Sequence, residues 1–298
     1  MHLAIIGHIA IDTIVRKGSQ AYSLGGPPCY AGLTAKRLGC DATLVTKIGA
    51  DFPDEYLLWL ARNSINFARN SKSPSSKTTR FRINVRKKGR SLHLISRCGQ
   101  IEVSQLHGLN IDGAIISPIT GEIPKEVSDT IVSKEITTFL DPQGYLRKFD
   151  KKGFCSLAKL SLNNLPRTSV IKVDPEEGYL LTNTAHPYDI ALKLRRCGFE
   201  NVIVTNGTKN VIIASERITA VLKVPKVKNV VDTTGLGDIL AGSFMANYLE
   251  SNDFLWSACA GVACASVASK GNGINKIDQI RDWEDIATEV KEGMKRLA

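Results

Sequence analysis

The run Asp232-Thr233-Thr234-Gly235-Leu236-Gly237-Asp238 is the segment of this chain best suited to chemistry. It follows a strand-like stretch and opens a long apolar helical one. Its two glycines let the backbone turn tightly and present successive N–H groups. Those donors would sit at a helix N-terminus, where the dipole favours anions. Such a loop suits a transferring phosphoryl group, and Asp238 in the first turn is placed to take a proton from an attacking hydroxyl. Glycine-rich turns and first-turn acids are common in α/β proteins. The seven residues together at a strand–helix junction are far more specific.

Charge is the second chemical signal. Lys and Arg number 39 against 29 Asp and Glu, a net charge of +10. The excess is local. No acid lies between Glu55 and Glu102, whereas that window holds Arg62, Arg69, Lys72, Lys77, Arg80, Arg82, Arg86, Lys87, Lys88, Arg90 and Arg97. An anionic substrate or a nucleic acid would explain the patch, and a solvated basic hairpin is an equally good reading. Phe81 is the sole Phe, Tyr or Trp between Arg80 and Arg97. Base stacking therefore has little to work with, and nucleic acid is disfavoured.

These residues need a scaffold, and the remaining pattern describes one. A chain of 298 residues with 43% hydrophobic and 23% charged residues has ordinary globular composition, and can bury a large core. No apolar run reaches the roughly 18 residues of a membrane helix, and MHLAIIGHIAID lacks a basic leader and a cleavage site. The seven cysteines form no CxxC pair, which fits reduced thiols and a cytoplasmic setting. Apolar strand-like runs at 3–11, 42–49, 113–117, 136–141, 169–173 and 201–206 alternate with helical stretches at 28–38, 53–63, 124–134 and 184–197. A long apolar helical region, 236–268, breaks around 251–253, and an amphipathic helix is expected at 278–297. The expected fold class is α/β: a three-layer, mostly parallel sheet with helices on both faces. Two runs do not fit that layer. The hairpin at about 78–98, with a basic tip at Arg86-Lys87-Lys88-Gly89, and residues 13–24 predict a small discontinuous β lid on a single domain spanning 1–298. A second hairpin is expected at 210–224.

In sequence and order, these motifs resemble the ribokinase-like (PfkB) carbohydrate kinase family. DTTGLGD is similar to its C-terminal DTxGAGD signature, with Leu236 where a small residue is common. Gly25-Gly26 before a helix, with Arg37-Leu38-Gly39, resembles the N-terminal signature. Lys47-Ile48-Gly49-Ala50-Asp51 and Thr205-Asn206-Gly207 match two further segments. The segments around Ser117-Pro118, Gly121-Glu122 and Asp141–Arg147, together with GGPPCY, look like the subgroup that includes myo-inositol kinases.

The resemblance implies the following roles. Asp238 is the catalytic base, and Gly235, Leu236 and Gly237 form the anion hole. Asp12 and the Gly25–Gly26 backbone bind the acceptor, with Gln143 and Arg147 reaching it from a strand end. Tyr30 stands where ribokinases carry a sugar-binding Asn, which argues against ribose in its usual pose. Thr205, Gly207, Thr234, Gly271 and Asn272 flank ATP. Glu177 and Asp174 organise Mg²⁺, although Asp174-Pro175-Glu176-Glu177 also reads as a plain helix start. A monovalent cation is an option at Asp232 and Thr234, where some relatives hold one. The basic hairpin would close over the acceptor, with Arg82 or Arg97 facing inward. The expected activity is transfer of the γ-phosphoryl of Mg·ATP to a hydroxyl of a sugar or cyclitol such as myo-inositol. The alternatives are a nucleoside kinase of the same family, or a catalytically silent kinase fold that binds a metabolite or RNA. The expected partners are a small polyol and a nucleotide, no membrane, and a second copy pairing through the lid.

Overall fold

The computed structural model describes residues 1–16, 18–86 and 89–297. Lys87 and Lys88, at the tip of the expected basic hairpin, lie outside the described residues.

Short runs rich in Ile, Val and Ala form the centre of a ten-stranded sheet among the described residues. Seven parallel strands run in the spatial order Asn66–Phe67, Asp41–Val45, His2–Ile6, Gly113–Ile116, Thr137–Leu140, Val170–Val173 and Asn201–Thr205. Three antiparallel strands extend it: Asn210–Ala214, Thr219–Lys223 and Lys295–Arg296. Parallel strands must be covered on both faces, and alternate residues divide between two cores. Leu3, Ile5, Leu44, Ile115, Phe139 and Ile203 face one core, which also takes residues from helices Pro27–Arg37, Leu236–Ser251, Phe254–Ala268 and Trp283–Glu292. Ala4, Ile6, Ile116, Leu140, Val173 and Val204 face the other, with residues from Lys125–Val132, Pro175–Thr182 and Pro187–Arg196. The three-layer arrangement expected from the alternation is present. No helix among the described residues is long and apolar enough to cross a membrane.

The lid is a separate four-stranded sheet in the order Ser19–Gly25, Ala10–Arg16, Thr79–Arg86 and Gly89–Ser96. It corrects the reading of 3–11 as one strand. The main-sheet strand ends at Ile6, and the chain re-enters as a lid strand at Ala10. Buried His8 ties this crossing to both roots of the lid hairpin. Its Nδ1 accepts from the Thr79 hydroxyl at 2.8 Å, and its Nε2 donates to the Gly99 carbonyl at 2.9 Å. The His8 N–H donates to Glu122, which also accepts from the N–H groups of Ile119 and Thr120. Burial pulls the His8 pKa below its usual value, which favours the neutral ring.

Strand register also corrects the expected facing of the lid arginines. Phe81 and Ile83 turn inward with Ala10 and Ile119 to make a third small core. Asp12 pairs with Phe81, and Val85 pairs with Arg90. The inner face therefore carries Asp12 and Arg90, whereas Arg82, paired with Thr13 and His93, lies on the other face. Arg97 is exposed against the Phe149 ring, 5.6 Å from its centroid. The C-terminal region differs too. Helix Trp283–Glu292 is shorter than expected, because the chain then turns and pairs Lys295 and Arg296 with Val221 and Ala220 at the sheet edge.

Candidate active site

The carboxyl ends of the parallel strands carry the functional groups, as open α/β sheets generally do. Strand Thr137–Leu140 delivers Asp141, strand Val170–Val173 contains Lys172 and leads into Asp174, and strand Asn201–Thr205 ends at Thr205. From the opposite side, residues 232–235 lead into helix Leu236–Ser251. Gly235 caps that helix with a φ of +74°, in the left-handed region that favours glycine. A side chain there would also strike the Tyr30 ring, which lies 2.6 Å from an added Cβ. Leu236, Gly237 and Asp238 open the helix, and their N–H groups have no acceptor within it. Asp238 stands in this first turn, partly exposed.

A buried ion pair sits beside the turn. Lys172 Nζ is 2.5 Å from Asp141 Oδ2, and both side chains are nearly inaccessible. The same ammonium lies 3.1 Å from a Cβ placed on Gly237. Burial would lower the Lys172 pKa, but Asp141 and Glu177 together hold it above the ordinary lysine value. Burial pushes Asp238 up to about 7, with Asp141 adding to the shift and Lys172, Arg147 and Arg90 opposing it. The site thus holds a carboxyl group poised near neutrality, a fixed cation and a row of free N–H donors.

Asp12 belongs to the lid. It is buried, and its Oδ1 has no hydrogen-bond partner. Its Oδ2 lies 2.3 Å from a Cβ added at Gly25, so only a glycine leaves room for the carboxylate. Burial raises Asp12 to about 7, against the pull of Arg90 and Arg147. Arg90 and Arg147 act on both Asp12 and Asp238, which places the two acids on one charged neighbourhood. Gly26 has a φ of +87° and packs its backbone on His8 O ahead of the two prolines that start helix Pro27–Arg37. Arg147 is half-buried and committed to neutral acceptors: Gln143 Oε1 at 2.5 Å and Ile119 O at 3.3 Å. Tyr30 turns its ring under Gly235, and its buried hydroxyl has no hydrogen-bond partner of good geometry.

Asp174 and Glu177 form a reciprocal capping box on helix Pro175–Thr182. The Glu177 N–H donates to Asp174 Oδ1 at 2.8 Å, and the Asp174 N–H donates to Glu177 Oε2 at 2.9 Å. Each cap uses one carboxylate oxygen and leaves the other. Burial raises Glu177 to about 7, with Asp141 and Asp174 adding to it and Lys172 opposing. Two carboxylates with one spare oxygen each suit a cation that keeps most of its water and meets substrate phosphates, which is the habit of Mg²⁺. No cluster of three or more His, Cys, Asp or Glu groups among the described residues would cage a metal by itself.

Asp232 is fixed by three donor groups, one of which reaches it twice. Its Oδ1 accepts from the Thr234 N–H at 2.9 Å, and its Oδ2 from the Gly273 N–H at 3.1 Å and from Lys276 at 2.8 Å. Its carbonyl accepts from Lys276 at 3.0 Å. Asn272 and Gly273 line a cavity of about 620 Å³ with Asp232, the lid residues Arg16 and Tyr22, and Trp59. Thr205, Gly207 and Asp238 do not line it. Gly271 packs its backbone on Lys276. Lys172 and Lys276 are the groups that the sequence reading passed over, and Arg90 and Asp141 entered it only as members of a basic run and a motif, without a role. A lysine inside the apolar run SVIKV was the one available signal for Lys172.

The chain matches the family model for pfkB family carbohydrate kinases over residues 2–279. A cytidine kinase of Thermococcus kodakarensis is 25% identical over 260 residues, covering 83% of this chain and 88% of that protein. A pyrophosphate-dependent kinase of the ribokinase family, complexed with a pyrophosphate analog and myo-inositol, superposes with a TM-score of 0.80 at 20% identity. That match covers 93% of this chain and 100% of the other. A fructokinase variant of Vibrio cholerae, in a form bound to fructose, ADP and a potassium ion, superposes with a TM-score of 0.71 at 16% identity, covering 92% and 93%.

Proposed function

The chain belongs to the pfkB family of carbohydrate kinases, and from that premise we propose that it moves the γ-phosphoryl of ATP onto a hydroxyl of a small polyol, a sugar or a cyclitol. The observation that carries this reading is the pairing of two acids near neutrality in one charged neighbourhood. One is Asp238 beside the free N–H groups of its helix, and the other is Asp12 with an unpartnered oxygen.

The residues divide the work as follows. Asp12 accepts hydrogen bonds from acceptor hydroxyls, and the Gly25–Gly26 backbone lets the ring come close. Gln143 and Arg147, already hydrogen-bonded to each other, present one preformed edge to it. Asp238 takes the proton of the attacking hydroxyl as its oxygen bonds to the γ-phosphorus and the bond to ADP breaks. The N–H groups of Gly235, Leu236 and Gly237 meet the charge on the phosphoryl oxygens, and Lys172 adds a fixed positive charge beside them. Thr205, Gly207, Thr234, Gly271 and Asn272 flank the nucleotide. Asp174 and Glu177 would hold Mg²⁺ through their spare oxygens, and the ion would screen the phosphates when bound.

Two of the proteins similar to this chain sharpen the test. Cytidine kinase activity in one relative supports a nucleoside as the second acceptor class, and the pyrophosphate-dependent neighbour makes diphosphate the second donor to try. The experiment is a coupled assay of product release from Mg·ATP and Mg·diphosphate against myo-inositol, hexoses, pentoses, sugar acids and nucleosides. Turnover on a polyol with ATP, falling on the order of 10²–10⁴-fold in Asp238→Ala, supports the proposal. Turnover on nucleosides alone moves the assignment to the second class. No turnover on any acceptor, with ATP still bound, refutes it.

A further inference from the structure

Three oxygens of the loop ahead of the catalytic helix converge on one point, and a side chain of this chain already occupies it. Lys276 lies in the 3-10 turn Gly273–Gln279 and is 0% exposed. Its Nζ donates to the carbonyls of Thr234 at 2.7 Å and Asp232 at 3.0 Å, and sits 2.8 Å from Asp232 Oδ2. An ammonium has three N–H donors and no acceptor. Three oxygens therefore satisfy it, and the cage has no room for another cation. The Tyr30 ring closes one side, 5.8 Å from Nζ.

A monovalent cation, which the family resemblance made an option at Asp232 and Thr234, does not fit these residues. The ammonium meets the same need. A buried positive charge draws the two carbonyls inward and fixes the segment 232–234, and Gly235, which starts the helix, follows directly. Burying such a charge is costly unless it is paired and fully hydrogen-bonded, a condition that the carboxylate and two carbonyls meet. We infer that the Lys276 ammonium is a built-in replacement for the monovalent cation, that it positions the N–H groups at Gly235–Gly237, and that the enzyme needs no potassium. The positioning half of this inference rests on the proposed role of those N–H groups; the occupancy half does not.

The test begins with the unaltered protein. Its melting temperature and its turnover are measured in KCl and in tetramethylammonium chloride at equal ionic strength. Equal values in the two salts are expected, and a rise of either quantity specific to potassium overturns the inference. Lys276→Ala then opens the cage. We expect it to melt lower in tetramethylammonium, and to recover part of the loss in potassium or methylammonium. Its kcat should fall about tenfold or more, since small misplacements of reacting groups cost up to about 10², and small cations should restore it in part. A folded Lys276→Ala protein whose melting and kcat ignore all three cations overturns the inference. If the variant does not fold, the salt comparison on the parent chain still decides. If no acceptor is found, melting alone decides occupancy, so failure of the kinase reading is distinguishable from failure of this one.

Discussion

Asp238→Asn should make the protein more stable while it stops turnover. In the structure, burial and the neighbouring Asp141 hold the Asp238 carboxyl near pH 7, against an ordinary value of 3.8. The folded chain therefore keeps this proton up to about pH 7, whereas the unfolded chain releases it near 3.8. Between those values the folded state binds more protons, so stability falls as pH rises. The penalty is complete above about pH 7 and absent below the unfolded value. A shift of about three units corresponds to about 4 kcal/mol, and solvent around this partly exposed group brings that to about 2 kcal/mol. An amide of the same shape carries no such penalty. With an unfolding entropy of about 2.1 cal/mol/K per residue, 2 kcal/mol in a chain of 298 residues is about 3–4 °C. Differential scanning calorimetry of both proteins from pH 4 to 8 checks it. The variant should melt higher at pH 8, and the two curves should converge toward pH 4. An unchanged or lower melting temperature at pH 8, or a gain independent of pH, refutes the electrostatic reasoning.

Three further outcomes follow from the same site. With Asp12 and Asp238 both near 7 and both needed ionised, kcat/KM should rise steeply through that pH and level off above it; a profile flat from pH 5.5 to 8 contradicts these assignments. Lys172→Met leaves Asp141 buried without its cation and should cost about 3–5 kcal/mol in urea unfolding, most of it recovered when Asp141→Asn is added. Gly235→Ala puts a methyl group 2.6 Å from the Tyr30 ring at a positive φ, so it should lower both kcat and melting temperature; Tyr30→Leu, by making room, should return part of the melting temperature but not the backbone strain.

Much of this architecture was readable because period and punctuation agree. The strands at 113–117, 136–141, 169–173 and 201–206 are short apolar runs that a two-sided sheet requires, and those at 113–117 and 169–173 lead to helices that open at a proline. The glycine-rich loop was readable because its chemistry is local: seven consecutive residues hold the turn, the donors and the acid. What escaped was non-local. Nothing near position 276 shows that its lysine reaches back past forty residues to the carbonyls of Asp232 and Thr234. Arg90 was hidden in a run of like charges, because only the pairing of Val85 with Arg90 says which face it takes. The first strand was overrun for a related reason. IAID continues the apolar pattern of LAII, and hydrophobicity alone does not say that the chain has changed sheets between them.

On the proposed roles, that change of sheets would make the cover and half of the acceptor's binding site a single mechanical part. Asp12 rides on the lid strand Ala10–Arg16, and Asp238 stays with the core helix. A displacement of the lid would then separate the two acids and dismantle the proposed seat for a hydroxyl. On that reading an acceptor that spans both would be the latch as well as the nucleophile, and a donor loaded without it would face a base with nothing held in front of it. Protection against idle hydrolysis would in this way be a matter of where one strand begins.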